Sequence, residues 1–399
     1  MIAIPWYFAA QGEMDLFGLI YIFVSMVSFF WVPYSATFVD RFNRKNIFLA
    51  VTAVCGMLIF SIASWGFING ELPWYLVALS FMITFLNYNI HYPTLYAFVQ
   101  EITEKSHYGK ITSYLEIQGQ LTAVLAGASA AFLLEGTSGG KTKLLGIEWN
   151  LPFEIEAWKI HEIFMLDAAT YVAAFIIIYL IRYMPIAKRK IEMTSISEQL
   201  QVGFQYLKSN TGIFIFGVAS YSIFVTVLIE GFYLGAHYTK EHLQESGDVF
   251  ASTQIFYACG AVFAGIAIRS IFKRMTLPMS IIIMTLITAV LFFTLVFTKS
   301  VLILFAMLLL LGICNAGTRI QRTTYLFSHV PNQVYGRTAS IFFLFNIIFR
   351  VSLVSLFTLS FFQKGVGAAY AFGVLGVFLI LSAFVLIRYY SSFINLKES

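Results

Sequence analysis

Long apolar runs, broken at intervals by short polar clusters, follow one another along the whole 399-residue chain. A bilayer core of about 30 Å takes roughly 20 apolar residues of helix, so each run predicts one crossing. A β-barrel would alternate in segments of about 10 residues instead, and no such alternation runs through the chain. The opening Met1 to Ala9 is apolar but reaches only about 13 Å as helix, so it reads as the tail of a truncated first span. No signal-peptide pattern precedes it. Complete spans are expected from about Leu16 to Asp40, Asn46 to Ile68, Leu72 to Val99, Ile111 to Leu134 and Ile160 to Tyr183. Six more begin near Gly212, Val249, Leu277, Val301, Thr338 and Gly367.

Charge then gives the spans direction. Val39 to Lys45 carries Asp40, Arg41, Arg44 and Lys45 between two apolar runs, and basic residues flanking spans favour the cytoplasmic side. On that topology eighteen of the 25 Lys and Arg lie inside, against six outside (Lys141, Lys143, Lys159, Lys240, Lys299 and Lys364), with Arg350 inside a span. The C-terminus is therefore expected in the cytoplasm. The polar stretch from Lys188 to about Thr211 holds Leu200, Gly203, Phe204 and Leu207 at i, i+3, i+4, i+7, the spacing of a short amphipathic helix. It reads as a linker, residues 185–210, between an N-terminal half (1–184) and a C-terminal half (211–399). Tyr108-Gly109-Lys110 opens the fifth span and Tyr335-Gly336-Arg337 the eleventh, and Phe42-Asn43-Arg44 matches Phe272-Lys273-Arg274 at nearly the same offset. Two parallel halves are the build of one alternating-access architecture. The fold class is thus an all-α polytopic membrane protein of two six-helix halves.

Composition narrows the function. With 59% hydrophobic and 11% charged residues and a mean hydropathy of +0.81, most of the chain faces lipid or other helices. The net charge of +5 sits in clusters at span ends and builds no nucleic-acid stripe. Cys55, Cys259 and Cys314 fall in apolar runs and read as free, buried thiols. The histidines have no metal-ligating spacing within a span, so neither a metal, a cofactor nor an intramembrane enzyme is expected. Glu135 to Thr142 has a P-loop's outline, but Glu135 replaces the first Gly and no strand precedes it. Trp149 and Trp158, in the longest outside loop, suit the membrane interface.

The hinge residues Ala36, Asp40, Arg41, Asn43, Arg44 and Lys45 resemble the signature that the major facilitator superfamily carries between its second and third helices, with both glycines replaced. Within the superfamily, Glu198 to Asn210, Leu166-Asp167-Ala168-Ala169, Tyr92-Pro93, and Pro331 with Gly336-Arg337 resemble the branch of macrolide exporters and the enterobactin exporter. The resemblance implies a secondary transporter with two rocking halves. It also implies that Asp40, Arg41, Arg44 and Lys45 act as a gate latch; orientation alone accounts for the basic residues but not for Asp40. Two departures weigh against proton antiport: no Arg lies in the fourth span, and Gly127-Ala128-Ser129-Ala130 replaces a Gly-Pro motif in the fifth.

Intramembrane charges are costly and face the bundle interior. Glu230, Glu116 and Asp167 are the candidates for proton coupling, against structural hydrogen bonding or packing. Asn87, His91, Gln120, Arg319 and Arg350 are candidates for the substrate cavity. Asn87 and His91 share a face, as do Glu116 and Gln120, and either pair serves equally as an interhelical bond. Arg350 meets an anionic substrate or pairs with a carboxylate such as Glu230 or Glu116. Arg322 is expected to snorkel to the headgroups, which suits Arg319 less well. The function expected is proton-driven export of an amphipathic drug, macrolide or siderophore across the cytoplasmic (inner) membrane. Lysophospholipid or other lipid transport is the alternative within transport, and a non-transporting receptor the alternative outside it.

Overall fold

The computed structural model describes residues 2–102, 108–137, 141–144, 147–150, 154, 156–183 and 196–395. The chain turns from α1 (Ala3–Gln11) through the left-handed Gly12, at φ 73°, into α2 (Met14–Arg41). A tight turn leads to α3 (Arg44–Asn69), followed by α4 (Trp74–Ile102), α5 (Tyr108–Glu135) and α6 (Ile160–Leu180). Among the described residues nine helical stretches are long and apolar enough to cross a bilayer; α4 and α5, of 29 and 28 residues, have the length as well. The all-α membrane fold holds, with one small addition. The long loop between α5 and α6 carries an antiparallel hairpin of β1 (Lys141–Leu144) and β2 (Ile147–Asn150). Lys141 and Thr142 open a strand there, whereas a P-loop needs them to open a helix.

Helix α7 (Ile196–Ser209) is the amphipathic element of the linker; residues 184–195 lie outside the described residues. Leu207 is buried and Gly203 sits against the backbone of Arg337. Phe204, expected on the same face, is exposed and turns into an apolar cleft instead.

The seventh span, expected as one helix, is broken. It runs as α8 (Thr211–Ser220), α9 (Ser222–Ile229), a π-helical turn at Glu230–Leu234 and α10 (Gly235–Glu241). The remaining spans are α11 (Gly247–Ile271), α12 (Leu277–Phe297), α13 (Val301–His329), α14 (Asn332–Phe357) and α15 (Val366–Arg388), with the short α16 (Tyr390–Ile394) after them. The halves meet along two seams, α2 on α14 and α5 on α11. An exchange of the halves swaps one seam for the other, as the internal repeat requires.

In lipid, helix association draws on close packing more than on apolar burial, so small residues mark the tightest contacts. A Cβ at Gly260 of α11 would strike the Leu309 carbonyl of α13, and one at Gly312 of α13 would strike the Tyr257 carbonyl of α11. The two glycines thus admit each other's backbones, and Asn315 Nδ2 donates to Tyr257 Oη at 2.6 Å beside them. Gly127, in the small-residue run of α5, makes the corresponding approach across the halves, to the Ala251 carbonyl of α11.

The hairpin end of the bundle is sealed by aromatic rings from both halves. Phe17 of α2 stacks on Phe8 at 5.1 Å and on Tyr233 of the π turn at 6.4 Å, and meets Phe81 of α4 edge-on at 5.2 Å. Phe232 packs on Phe85 at 5.9 Å and Tyr21 at 6.1 Å. Just beyond α10, His242 Nε2 donates to the Thr298 carbonyl at the end of α12, 3.0 Å away, and its burial lowers its pKa from the ordinary imidazole value.

Gly312→Ala is expected to destabilise the protein by about 1–3 kcal/mol, the usual cost of forcing atoms into a filled contact. Gly265→Ala in α11, where a Cβ meets nothing within 4 Å, should change little. Thermal unfolding of the two variants in detergent checks the contrast.

Candidate functional site

Polar groups inside the bundle fall into two sets: those with a hydrogen-bond partner and those without one among the described residues. The first set contains several residues whose positions alone suggested function. Lys45 Nζ donates to the carbonyls of Tyr179 and Ile181, at 2.9 and 2.7 Å. It thereby caps the end of α6, where a cation also complements the helix dipole. This bond joins α3 to α6 within one half, so in this conformation Lys45 does not bridge the halves as a latch would. Asn43, in place of a signature glycine, caps α3 by accepting from the N–H groups of Lys45 and Asn46 at 3.0 and 3.3 Å. Arg44 is half-buried, and the side chains of Asp40 and Arg41 lie outside the described residues.

Arg322 reverses its expectation. It is 5% exposed rather than at the headgroups, its Nη1 donates to the Ser220 carbonyl at 3.1 Å, and its guanidinium lies 3.6 Å over the Tyr221 ring. Ser220 and Tyr221 are the break between α8 and α9, so the cation satisfies a carbonyl that the broken helix exposes. Arg319, one turn away, is the half-buried member of the pair.

Asn87 Nδ2 donates to Tyr171 Oη of α6 at 3.0 Å, an interhelical bond within the first half. His91 shares that face, edge-on to Phe48 of α3 at 5.3 Å. Asp167 lies on α6 beside Tyr171 and Cys55 of α3, away from both seams between the halves. The α4 residue that looks across to α2 is Asn89, whose Nδ2 donates to Ser28 Oγ at 3.3 Å. Gln120 is half-buried on α5, and the side chain of Glu116 is outside the described residues. Of the free thiols, Cys55 and Cys314 are buried as expected, whereas Cys259 is exposed on α11.

Part of the second set lies at the α2–α14 seam; other members are Glu13, His161 of α6, Ser222 of α9 and His237 of α10. Arg350 is 1% exposed, and its Nε and Nη2 have no hydrogen-bond partner among the described residues. The guanidinium sits between Tyr21 of α2 and Phe85 of α4, 5.4 and 5.3 Å from the ring centroids. No ion pair joins it to Glu230, contrary to one expectation. The other expected partner, Glu116, has its side chain outside the described residues. Two cation–π contacts are worth about 1–2 kcal/mol each, less than the several kcal/mol a buried cation loses on leaving water. Asn346, one turn away on α14, is 0% exposed with both side-chain polar atoms unpaired, and Ser25, one turn from Tyr21 on α2, has an unpaired buried hydroxyl.

Glu230 opens the π turn and is 4% exposed. Its Oε1 lies over Gly235, where a Cβ would leave no room, with Phe250 of α11 behind it. Among the described residues no cation pairs with it. Broken helices with buried charged groups between two repeated halves are the construction of a secondary transporter.

The Major Facilitator Superfamily profile matches residues 1–354, and the chain belongs to that superfamily of membrane transporters. No curated protein sequence matches it. Among solved structures it is similar to the nucleoside transporter NupG, at 10% identity, a TM-score of 0.68, and coverage of 98% of this chain and 94% of that one. It is similar to a D-xylose-proton symporter at 14% identity and a TM-score of 0.67, covering 94% and 87%. A third is a bacterial homolog of the human lysosomal transporter Spinster in an inward-facing conformation, at 13% identity and 0.64, covering 100% and 98%. At these identities the likeness concerns the fold.

Lys45→Met is expected to destabilise the protein by about 1 kcal/mol, the scale of a partly exposed charge-assisted hydrogen bond, with a lower unfolding midpoint. Unchanged stability together with altered transport would instead return Lys45 to the latch.

Proposed function

We propose that this superfamily member exports an amphipathic small molecule of the drug, macrolide or siderophore class across the cytoplasmic membrane. Export proceeds by alternating access and proton antiport, with the Asp40 end in the cytoplasm. Glu230 carries the reading. A carboxylate enclosed without a cation is far cheaper to keep neutral than charged, so it gives up a proton only when a conformational change admits water. Its place on a π turn, a form that recurs at functional sites, at the face between the halves couples that admission to their rocking. The positive-inside bias supports the orientation, and the resemblance to the exporter branch supports the substrate class. Asp40, at the hinge, holds the halves on the cytoplasmic side when the protein faces outward.

A second reading is lipid transport. A cleft of about 390 Å³ between α2, α7 and α14 is lined by Phe29, Leu200, Phe204, Ile341, Leu344, Phe345, Ile348 and the lone polar Gln201, which suits an acyl chain.

The test uses purified protein in liposomes and a panel of lipophilic cations, macrolides, siderophores and lysolipids. Substrate-induced proton movement is expected in the wild type and lost in Glu230→Gln; proton movement that persists in the variant overturns Glu230 as carrier. Flux without protons, for lysolipids alone, selects the lipid reading. Asp40→Asn is expected to abolish transport with expression intact, and wild-type flux from that variant removes the latch.

A further inference from the structure

The two unpaired nitrogens of Arg350 are not an arbitrary pair. Nε and Nη2 share one edge of the guanidinium, the edge whose two parallel N–H groups match the two oxygens of a carboxylate or of a phosphoryl or sulfonyl group. Both are buried and unbonded, while Tyr21 and Phe85 cover the guanidinium at 5.4 and 5.3 Å. Helices α2 and α14 run in opposite directions along their seam. One step of four residues from Tyr21 to Ser25 therefore descends roughly as far as the step from Arg350 back to Asn346, about 6 Å. This brings three unpaired buried polar side chains, Arg350, Asn346 and Ser25, to one stretch of the seam. Above them, towards the hairpin end, Phe17, Phe81 and Tyr233 close the bundle. Below them the two helices continue to the cleft that Phe29 and Phe345 line.

We propose that Arg350, Asn346 and Ser25 form an anion subsite, and that the transported molecule carries a carboxylate, phosphate or sulfonate group joined to a flat apolar body. Arg350 takes the anionic group on its open edge. Asn346, with a free donor and a free acceptor, and Ser25 take neighbouring hydroxyl or amide groups of the same molecule. Tyr21, Phe85 and Phe232 receive the apolar body and keep water from the ion pair. Substrate thus supplies the counter-charge that is missing among the described residues. This inference rests on the transport reading above, narrows its substrate class to anions, and does not require that Glu230 carry the proton.

The test is binding to the purified full-length protein in detergent, by calorimetry, with naphthoate, naphthyl phosphate and naphthalenesulfonate as anions, and naphthamide and naphthylmethylammonium as neutral and cationic controls. At least one anion is expected to bind about tenfold or more tightly than naphthamide, the effect of one charge-assisted pair. That preference should vanish in Arg350→Gln, shrink in Arg350→Lys, which keeps the charge but not the two-pronged edge, weaken in Asn346→Leu, and persist in Glu230→Gln. Equal binding of anions and naphthamide to the wild type overturns the subsite without recourse to any variant, and so does an Arg350→Gln protein that keeps the preference. Anion preference without flux in liposomes would retain the subsite and remove the transport reading; flux of a substrate panel without anion preference would do the reverse.

Discussion

A backbone carbonyl in hydrocarbon has no water to turn to, and each one that leaves its helix must find a donor from another. Most of the long-range polar contacts here answer that demand. Pro93 lacks the N–H that the Asn89 carbonyl would use, and Ser35 Oγ of α2 lies 3.3 Å from it. The break at Tyr221 releases the Ser220 carbonyl, and Arg322 takes it. Near the π turn the Leu228 carbonyl accepts from Tyr21 Oη at 3.2 Å, and the end of α14 gives the Phe357 carbonyl to Gln363 Nε2 at 2.6 Å. The end of α6 is taken by Lys45, and the end of α12 by Tyr238 and His242. At each of these places a particular side chain completes the irregular backbone.

Against that background the residues left unsatisfied stand apart. Arg350, Asn346 and Ser25 are as deeply buried as Arg322, yet among the described residues nothing meets Arg350 Nε and Nη2, the Asn346 amide or the Ser25 hydroxyl. The same bundle that finds donors for the freed carbonyls of broken helices leaves these groups open at the boundary between its two halves. Glu230 lies at the other broken segment of the seventh span, so this buried carboxylate and Arg350 sit on different elements that both touch α2.

The number and order of the helices are legible in the sequence because apolar length is a one-dimensional property. The faces are not. In a helix apolar all round, periodicity does not say which side meets a partner. Asn87 and His91 share a face of α4, but that face looks to α3 and α6, while Asn89 looks to α2. Arg319 and Arg322 differ by three residues, and distance from the span end suggested that Arg322 would reach the headgroups; a helix break on another span, invisible to hydropathy, holds it inside. Arg350 was legible as an outlier, because no flanking position explains it. Its unpaired Asn346 neighbour was not, since a lone Asn among Phe and Ile reads as an ordinary interhelical bond. The signature's missing glycine at Asn43 has a local explanation, because an Asn in extended backbone caps α3 without any left-handed geometry.

The reciprocal seating of Gly260 and Gly312 has a mechanical consequence. Each backbone occupies the notch left by the other's missing side chain, so neither helix can rotate about its axis or slide by a residue without collision. Helices α11 and α13 therefore behave as one strut. The opposite flank of α11 meets α5 at Gly127, where a Cβ would stand 3.0 Å from the Ala251 carbonyl, an approach with more room in it than at either glycine of the strut.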